Sequence, residues 1–179
     1  MFLQRWSARS MNGKALSEGE IMALFEAARW APSCANQQPW RFAYALAGTE
    51  HFAPFFDLLA EGNKPWCARA GALVVVLSKK TFDNGSPLGS HSFDAGAAWM
   101  SIALQARVMG LVSHGMAGFD YAKARTALHV PDEFNVEAML ALGHPGTLED
   151  LPEKFRERET PNGRKPVTEL VLVGGFPKS

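Results

Sequence analysis

Ala31-Pro32-Ser33-Cys34-Ala35-Asn36-Gln37-Gln38-Pro39-Trp40-Arg41-Phe42 joins two segments of opposite periodicity, and the reading of that junction decides the fold class. Upstream, Ser17-Glu18-Gly19-Glu20 is a capping-box start, and Ile21, Leu24, Phe25 and Ala28 recur at helical spacing until Pro32 stops the helix. Downstream, Trp40, Phe42, Tyr44 and Leu46 alternate with smaller or polar residues, the period of a half-buried strand. The turn between them is not solvent filler. Three carboxamides fixed between Pro32 and Pro39 suit a wall that hydrogen-bonds the edge of a flat heteroaromatic ligand.

Working outward, a helix is expected from about Glu50 to Ala60, and Ala72 to Leu77 is a continuous apolar run, hence a strand buried on both faces. Thr81 to Ser92, with Asn84-Gly85, Pro87 and Gly89, reads as loop. Phe93 to Met109 is the longest helix and is apolar nearly all round, so it is either central or half of an interface between subunits. Asp120 caps a helix to about His129, and Val136 to Leu142 and Glu169 to Val173 read as further strands. With no repeat and no linker, residues 1–179 form one mixed α and β domain.

Lys+Arg and Asp+Glu balance at 18 each, which gives no net field to recruit nucleic acid or an anionic membrane. The basic residues are uneven, however. Only Arg107 is basic between Thr81 and Ala122, while both ends of the chain are rich in Arg and Lys. Two cysteines, no apolar span of bilayer length and no secretory leader make a reduced, cytoplasmic setting the expectation.

The sequence has no nucleophile elbow, P-loop, dinucleotide Gly-rich fingerprint or paired-His zinc motif, so no resident metal is expected. Cys34 and His114 could form a nucleophile pair, but a turn cysteine and a loop histidine explain them more simply. Chemistry without reactive side chains points to a borrowed cofactor. Four segments suit flavin mononucleotide. Arg5, Ser7 and Arg9 alternate, so an extended chain would set two guanidiniums and a hydroxyl on one side for a phosphate. The opening turn is the second. Gly115-Met116-Ala117-Gly118-Phe119-Asp120 offers small residues and backbone donors ahead of a helix. Arg164 and Lys165 form a second basic cluster able to complete the phosphate clamp.

Together these segments resemble the flavin-dependent nitroreductase family, from R-x-S-x-R at Arg5 to Arg9 and A-P-S-x-x-N-x-Q-P-W at Ala31 to Trp40, through Asn63 and M-x-G-F-D at Met116 to Asp120, to the final R-K-P. The resemblance implies an α+β fold with a central, mostly antiparallel sheet flanked by helices, and a homodimer with FMN at the interface and an exchanged C-terminal strand. It implies that Arg5, Trp6, Ser7, Arg9, Arg164 and Lys165 surround the phosphate and ribityl end. Pro32, Ser33, Cys34 and Asn36 would come from the other subunit and cover the ring. Asn63 would bond the pyrimidine edge, and Met116, Ala117 and Gly118 would lie near N5. The implied chemistry is hydride transfer from NAD(P)H to the flavin, then to a nitroaromatic or quinone, with Trp66, His91 and Phe93 as candidate substrate-facing residues. Two other readings stand beside it: the same fold with a dehalogenase or enoate-type reaction, and a flavin-binding sensor or store without turnover. Cys34 where serine is common, the bulky Trp6 and the short 81–91 loop depart from the family pattern.

Overall fold

The computed structural model describes residues 1–176. Helix α1, Glu18–Arg29, starts at its capping box: the Ser17 hydroxyl accepts from the Glu20 amide, and the Glu20 carboxylate accepts from the Ser17 amide. A single 3-10 turn, Cys34–Asn36, leads into strand β1, Trp40–Leu46. Two short helices follow, α2 at Phe52–Phe56 and α3 at Lys64–Cys67, then strand β2, Ala72–Lys79. The long helix α4, His91–Val108, precedes strand β3, Val112–Met116. Helix α5, Tyr121–Ala127, is capped by the Asp120 side chain, which accepts from the Lys123 amide. Strand β4, Phe134–Gly143, and helix α6, Glu153–Arg156, complete the regular elements.

The strands form one antiparallel sheet in the order β1-β2-β4-β3. Alternation along β2 organises both faces. Ala72, Val74 and Val76 pack with Leu24 and Ala28 of α1 and Ala98 and Ile102 of α4, whereas Leu73, Val75 and Leu77 pack with Phe55, Trp66 and Met139. Helices therefore cover both sides of the sheet, and each fully buried Leu, Ile or Val contributes about 1.5–3 kcal/mol through its removal from water. The sheet is the α+β architecture expected, with all its pairings antiparallel.

Four expectations change. The helix expected from Glu50 to Ala60 is only Phe52–Phe56, because Pro54 lacks the amide a longer helix would need. Strand β3 was read as loop, since Ser113-His114-Gly115 carries no β-branched run; it is held in place by pairing with β4 from Val112↔Gly143 to Met116↔Met139. The strand expected at Glu169–Val173 is absent. Val167–Glu169 is a 3-10 turn, and the apolar residues beyond it are exposed and pair with neither free edge of the sheet. Finally, α4 is not buried on all sides within one chain: Ala95, Ala98, Ile102 and Ala106 are covered, but Phe93 is 83% and Val108 65% exposed. Among the described residues no helix is long and apolar enough to cross a membrane.

Candidate functional site

The edge of β3 is where the two ends of the chain meet. The N-terminal segment runs beside it, and its Ala8 carbonyl accepts from His114 Nδ1 at 3.0 Å. The tail after α6 is clipped onto the same segment by Glu159, whose Oε1 accepts from the Arg9 and Ser10 amides, both at 2.7 Å. These contacts gather Trp6, Ser7, Arg9 and His114 against Arg158, Thr160, Asn162 and Arg164 around a cavity of about 180 Å³. Three guanidiniums with hydroxyl and amide neighbours suit a phosphate joined to a polyhydroxylated chain.

His114 forms the floor of this cavity. Its ring lies 4.6 Å from the buried Trp66 ring, and Arg9 sits 5.9 Å above the same indole. Burial pushes the imidazole below its ordinary value, and the charge of Arg9 acts in the same direction against the Ala8 and Ser7 backbone carbonyls and Glu159. His114 is therefore held neutral.

The cavity gathers some of the residues expected of the clamp and not others. Ser7, Arg9 and Arg164 line the cavity, as does Trp6, but Arg5 lines a neighbouring cavity of about 260 Å³ on the α4 side of β3, with Arg107 and Ser113. Trp6 borders both spaces, so its bulk partitions them. Lys165 is exposed and does not line the cavity. Arg158, Thr160, Asn162 and His114 were not among the expected site residues. The crowding of basic residues at the chain ends held a signal for Arg158, whereas His114 had none, because β3 was not recognised.

Four residues beyond His114 lies a second group. Asn63 Nδ2 donates to the Gly118 carbonyl at 2.9 Å, and Leu59 bridges Phe119. A Cβ on Gly118 would meet Asn63 Nδ2 at 2.7 Å, so a larger residue there would displace the Asn63 amide. Ala117 and Gly118 are exposed beside it, whereas the Met116 side chain is buried with its sulfur 3.5 Å from Cys67 Sγ. Met116 thus contributes backbone only. The group lies just past the end of β3 at Met116, two residues beyond His114.

The turn that opened the sequence lies elsewhere. Asp94, 4% exposed on α4, accepts from the Cys34 amide at 3.1 Å and from the Ser90 hydroxyl at 3.0 Å. Ser33 Oγ accepts from the Gln38 amide, and Gln38 Nε2 donates to the Asn36 carbonyl, so Gln38 braces the turn. Pro32, Cys34 and Asn36 are exposed and Ser33 half-buried. This turn leads into β1, three strand spacings or roughly 14 Å across the sheet from β3. One chain does not bring the two halves of the expected site together.

Of the substrate-facing candidates, Trp66 is a core residue, 1% exposed beneath His114, and cannot face a substrate. His91 Nδ1 lies 2.7 Å from Ser78 Oγ and 3.4 Å from Glu137, which ties its ring to β2 and β4. Burial is the largest influence on Glu137 and raises its pKa, but bonds from Ser78, Ser92 and Asn135 and the charge of His91 outweigh it and hold the carboxyl below its usual range. Phe93 stands exposed and directly precedes Asp94, which holds the Cys34 amide. Cys34 and His114 engage separate partners, Asp94 and Ala8, and Cys67 is buried, which pushes its thiol up and away from reactivity.

Comparison with known proteins gives a consistent picture. The nitroreductase family model matches residues 2–65 and 45–144. An uncharacterised 15.4 kDa protein of Mycolicibacterium smegmatis is 33% identical over 131 residues, covering 73% of this chain and 87% of its own. A Streptomyces coelicolor protein, provisionally assigned as an NADH dehydrogenase/NAD(P)H nitroreductase, is 26% identical over 167 residues, 81% of either chain. Among solved structures, an oxidoreductase containing FMN superposes with a TM-score of 0.94 at 40% identity, covering 99% of this chain and 92% of that one. A provisionally assigned nitroreductase from Desulfovibrio desulfuricans in complex with FMN gives 0.75 at 25% identity, covering 97% and 94%.

Proposed function

Since this chain belongs to the nitroreductase family, we propose that it is an FMN-dependent oxidoreductase that takes hydride from NAD(P)H and delivers it to a nitroaromatic or quinone acceptor in two successive half-reactions. The observation that carries the reading is the cleft beside β3. Arg9, Arg158 and Arg164 supply charge for a phosphate, Ser7, Thr160 and Asn162 supply hydrogen bonds for a ribityl chain, and the backbone at Gly118 is kept bare next to Asn63. The residues present fit the cofactor. When bound, FMN supplies the centre that accepts and releases hydride. The chain's own residues hold and orient it, and none is required to act as a proton donor to the flavin.

A second copy of the chain completes the site in this reading. The separation of the Pro32–Asn36 turn from the β3 cleft supports it, as do the exposed Phe93, Trp99, Met100 and Val108 of α4 and the exposed apolar tail from Val167 to Val173. The turn of one copy would cover the flavin held by the other, with the tail adding to the partner's sheet.

Purified protein is expected to be yellow and to release FMN, phosphate intact, on denaturation. Steady-state oxidation of NADH or NADPH with menadione or nitrofurazone should give parallel double-reciprocal lines. A colourless protein that takes up no added FMN sinks the proposal, and bound FMN without turnover restricts the chain to a flavin-binding role.

A further inference from the structure

The His114 ring faces the Ala8 and Ser7 carbonyls, and its one well-formed bond among the described residues is from Nδ1 to Ala8. The carbonyl of Ala8 can only accept, so the proton at 3.0 Å belongs to His114 Nδ1. In a neutral ring this leaves Nε2 as a bare acceptor. Among the described residues no protein donor takes it. The buried Trp66 indole Nε1 has no partner among the described residues although the two rings are 4.6 Å apart. The imidazole instead forms part of the wall of the cavity that contains Ser7, Arg9, Thr160 and Arg164.

The charges facing the ring decide what Nε2 can bind. From the N-terminal segment comes Arg9, and from the tail come Arg158, Arg164 and Glu159. Glu159 Oε1 is already committed to the Arg9 and Ser10 amides. Helix α3 presents only the neutral Trp66. A proton on Nε2 would add a positive charge to a buried site that already holds three guanidiniums. A neutral Nε2 repels a phosphate oxygen and attracts a hydroxyl donor. The guanidiniums and the imidazole thus read different parts of one ligand: charge on the one side, a hydroxyl on the other.

Resting on the FMN reading above, we propose that His114 is a specificity-determining residue whose neutral Nε2 accepts a hydrogen bond from a ribityl hydroxyl of the flavin, leaving the phosphate to the arginines. The residue selects flavins that carry a polyhydroxylated chain, whether or not they carry phosphate.

His114→Asn is the informative variant, because the asparagine amide reproduces Nδ1 and its bond to Ala8 while removing Nε2. His114→Gln extends an amide to the Nε2 position and should restore the contact. Apoprotein prepared from the wild type and both variants is titrated with FMN and with riboflavin, following flavin fluorescence from about pH 6 to pH 8. Loss of one hydrogen bond should raise both dissociation constants about tenfold in His114→Asn, with His114→Gln returning most of the affinity and an FMN dissociation constant whose pH profile has the same shape in all three proteins. Unchanged affinity in His114→Asn overturns the proposal. So does a loss confined to FMN, or an FMN affinity that strengthens toward pH 6 in the wild type and not in His114→Asn, because either places a charged imidazole on the phosphate. Failure of the wild type to bind either flavin is a different result: it removes the FMN reading itself, and this proposal with it.

Discussion

Ala35, Asn36 and Gln38 have φ of +47°, +53° and +48°, a left-handed backbone that Asn tolerates and the other two adopt only when their surroundings impose it. Asp94 and Ser33 supply that restraint through bonds to the Cys34 and Gln38 amides. Removal of the carboxylate in Asp94→Ala leaves the Cys34 amide without its acceptor, and a loss of about 1–3 kcal/mol is expected in urea unfolding. Two glycines can be tested at the same scale. A Cβ at Gly115 would collide with the Trp99 ring, so Gly115→Ala should destabilise by about 1–3 kcal/mol through displacement of α4 from β3. Gly118→Ala pushes against the Asn63 amide at an exposed site, so it should weaken flavin binding severalfold with little change in Tm. For His114 the sign follows from its lowered pKa. The unfolded chain takes up a proton near pH 6.5 that the folded one resists, so its contribution is fully present above that pH and is lost as pH falls below it. The drop in Tm from about pH 7.5 to pH 5.5 should accordingly be smaller in His114→Asn.

At the scale of elements, the site depends on how the tail is attached. Glu159 accepts two backbone amides, and charge-assisted bonds of this kind are worth about 1.5–3 kcal/mol each. Glu159→Ala should detach residues 158–164 from the N-terminal segment, which would be seen as weakened FMN binding and faster proteolysis after α6, while the sheet's circular dichroism is retained. The elements legible in the sequence were those whose pattern is local: the capping box of α1, the continuous apolar run of β2, the Asp120 cap of α5 and the long Ala-rich α4. What the sequence concealed depends on partners. Ser113-His114-Gly115 becomes a strand because it lies alongside β4, whereas Glu169–Val173 lies along no strand of this chain. The site was legible in the same proportion. Ser7, Arg9 and Arg164 could be read from charge and spacing and Arg158 from the crowding of basic residues at the chain ends, whereas His114 emerges only when the N-terminal segment and β3 are placed side by side.

Across the whole molecule, the two sheet edges have different duties: β1 follows the braced turn, and β3 borders the basic cleft. Phe93 and Val108 are exposed enough that charging them should cost a single chain little, about 0.5 kcal/mol or less. Phe93→Asp with Val108→Asp is expected to shift the protein from dimer to monomer in sedimentation velocity, with flavin lost in parallel and unfolding cooperativity preserved. A dimer that persists with its flavin would place the contact on another face. In the proposed dimer, the opposite-edge arrangement would also make cofactor retention a matter of mass action. If each flavin needs a surface from both copies, flavin occupancy and self-association share one equilibrium, and either one strengthens the other. Dilution alone would then bleach the protein, and added FMN would reassemble it.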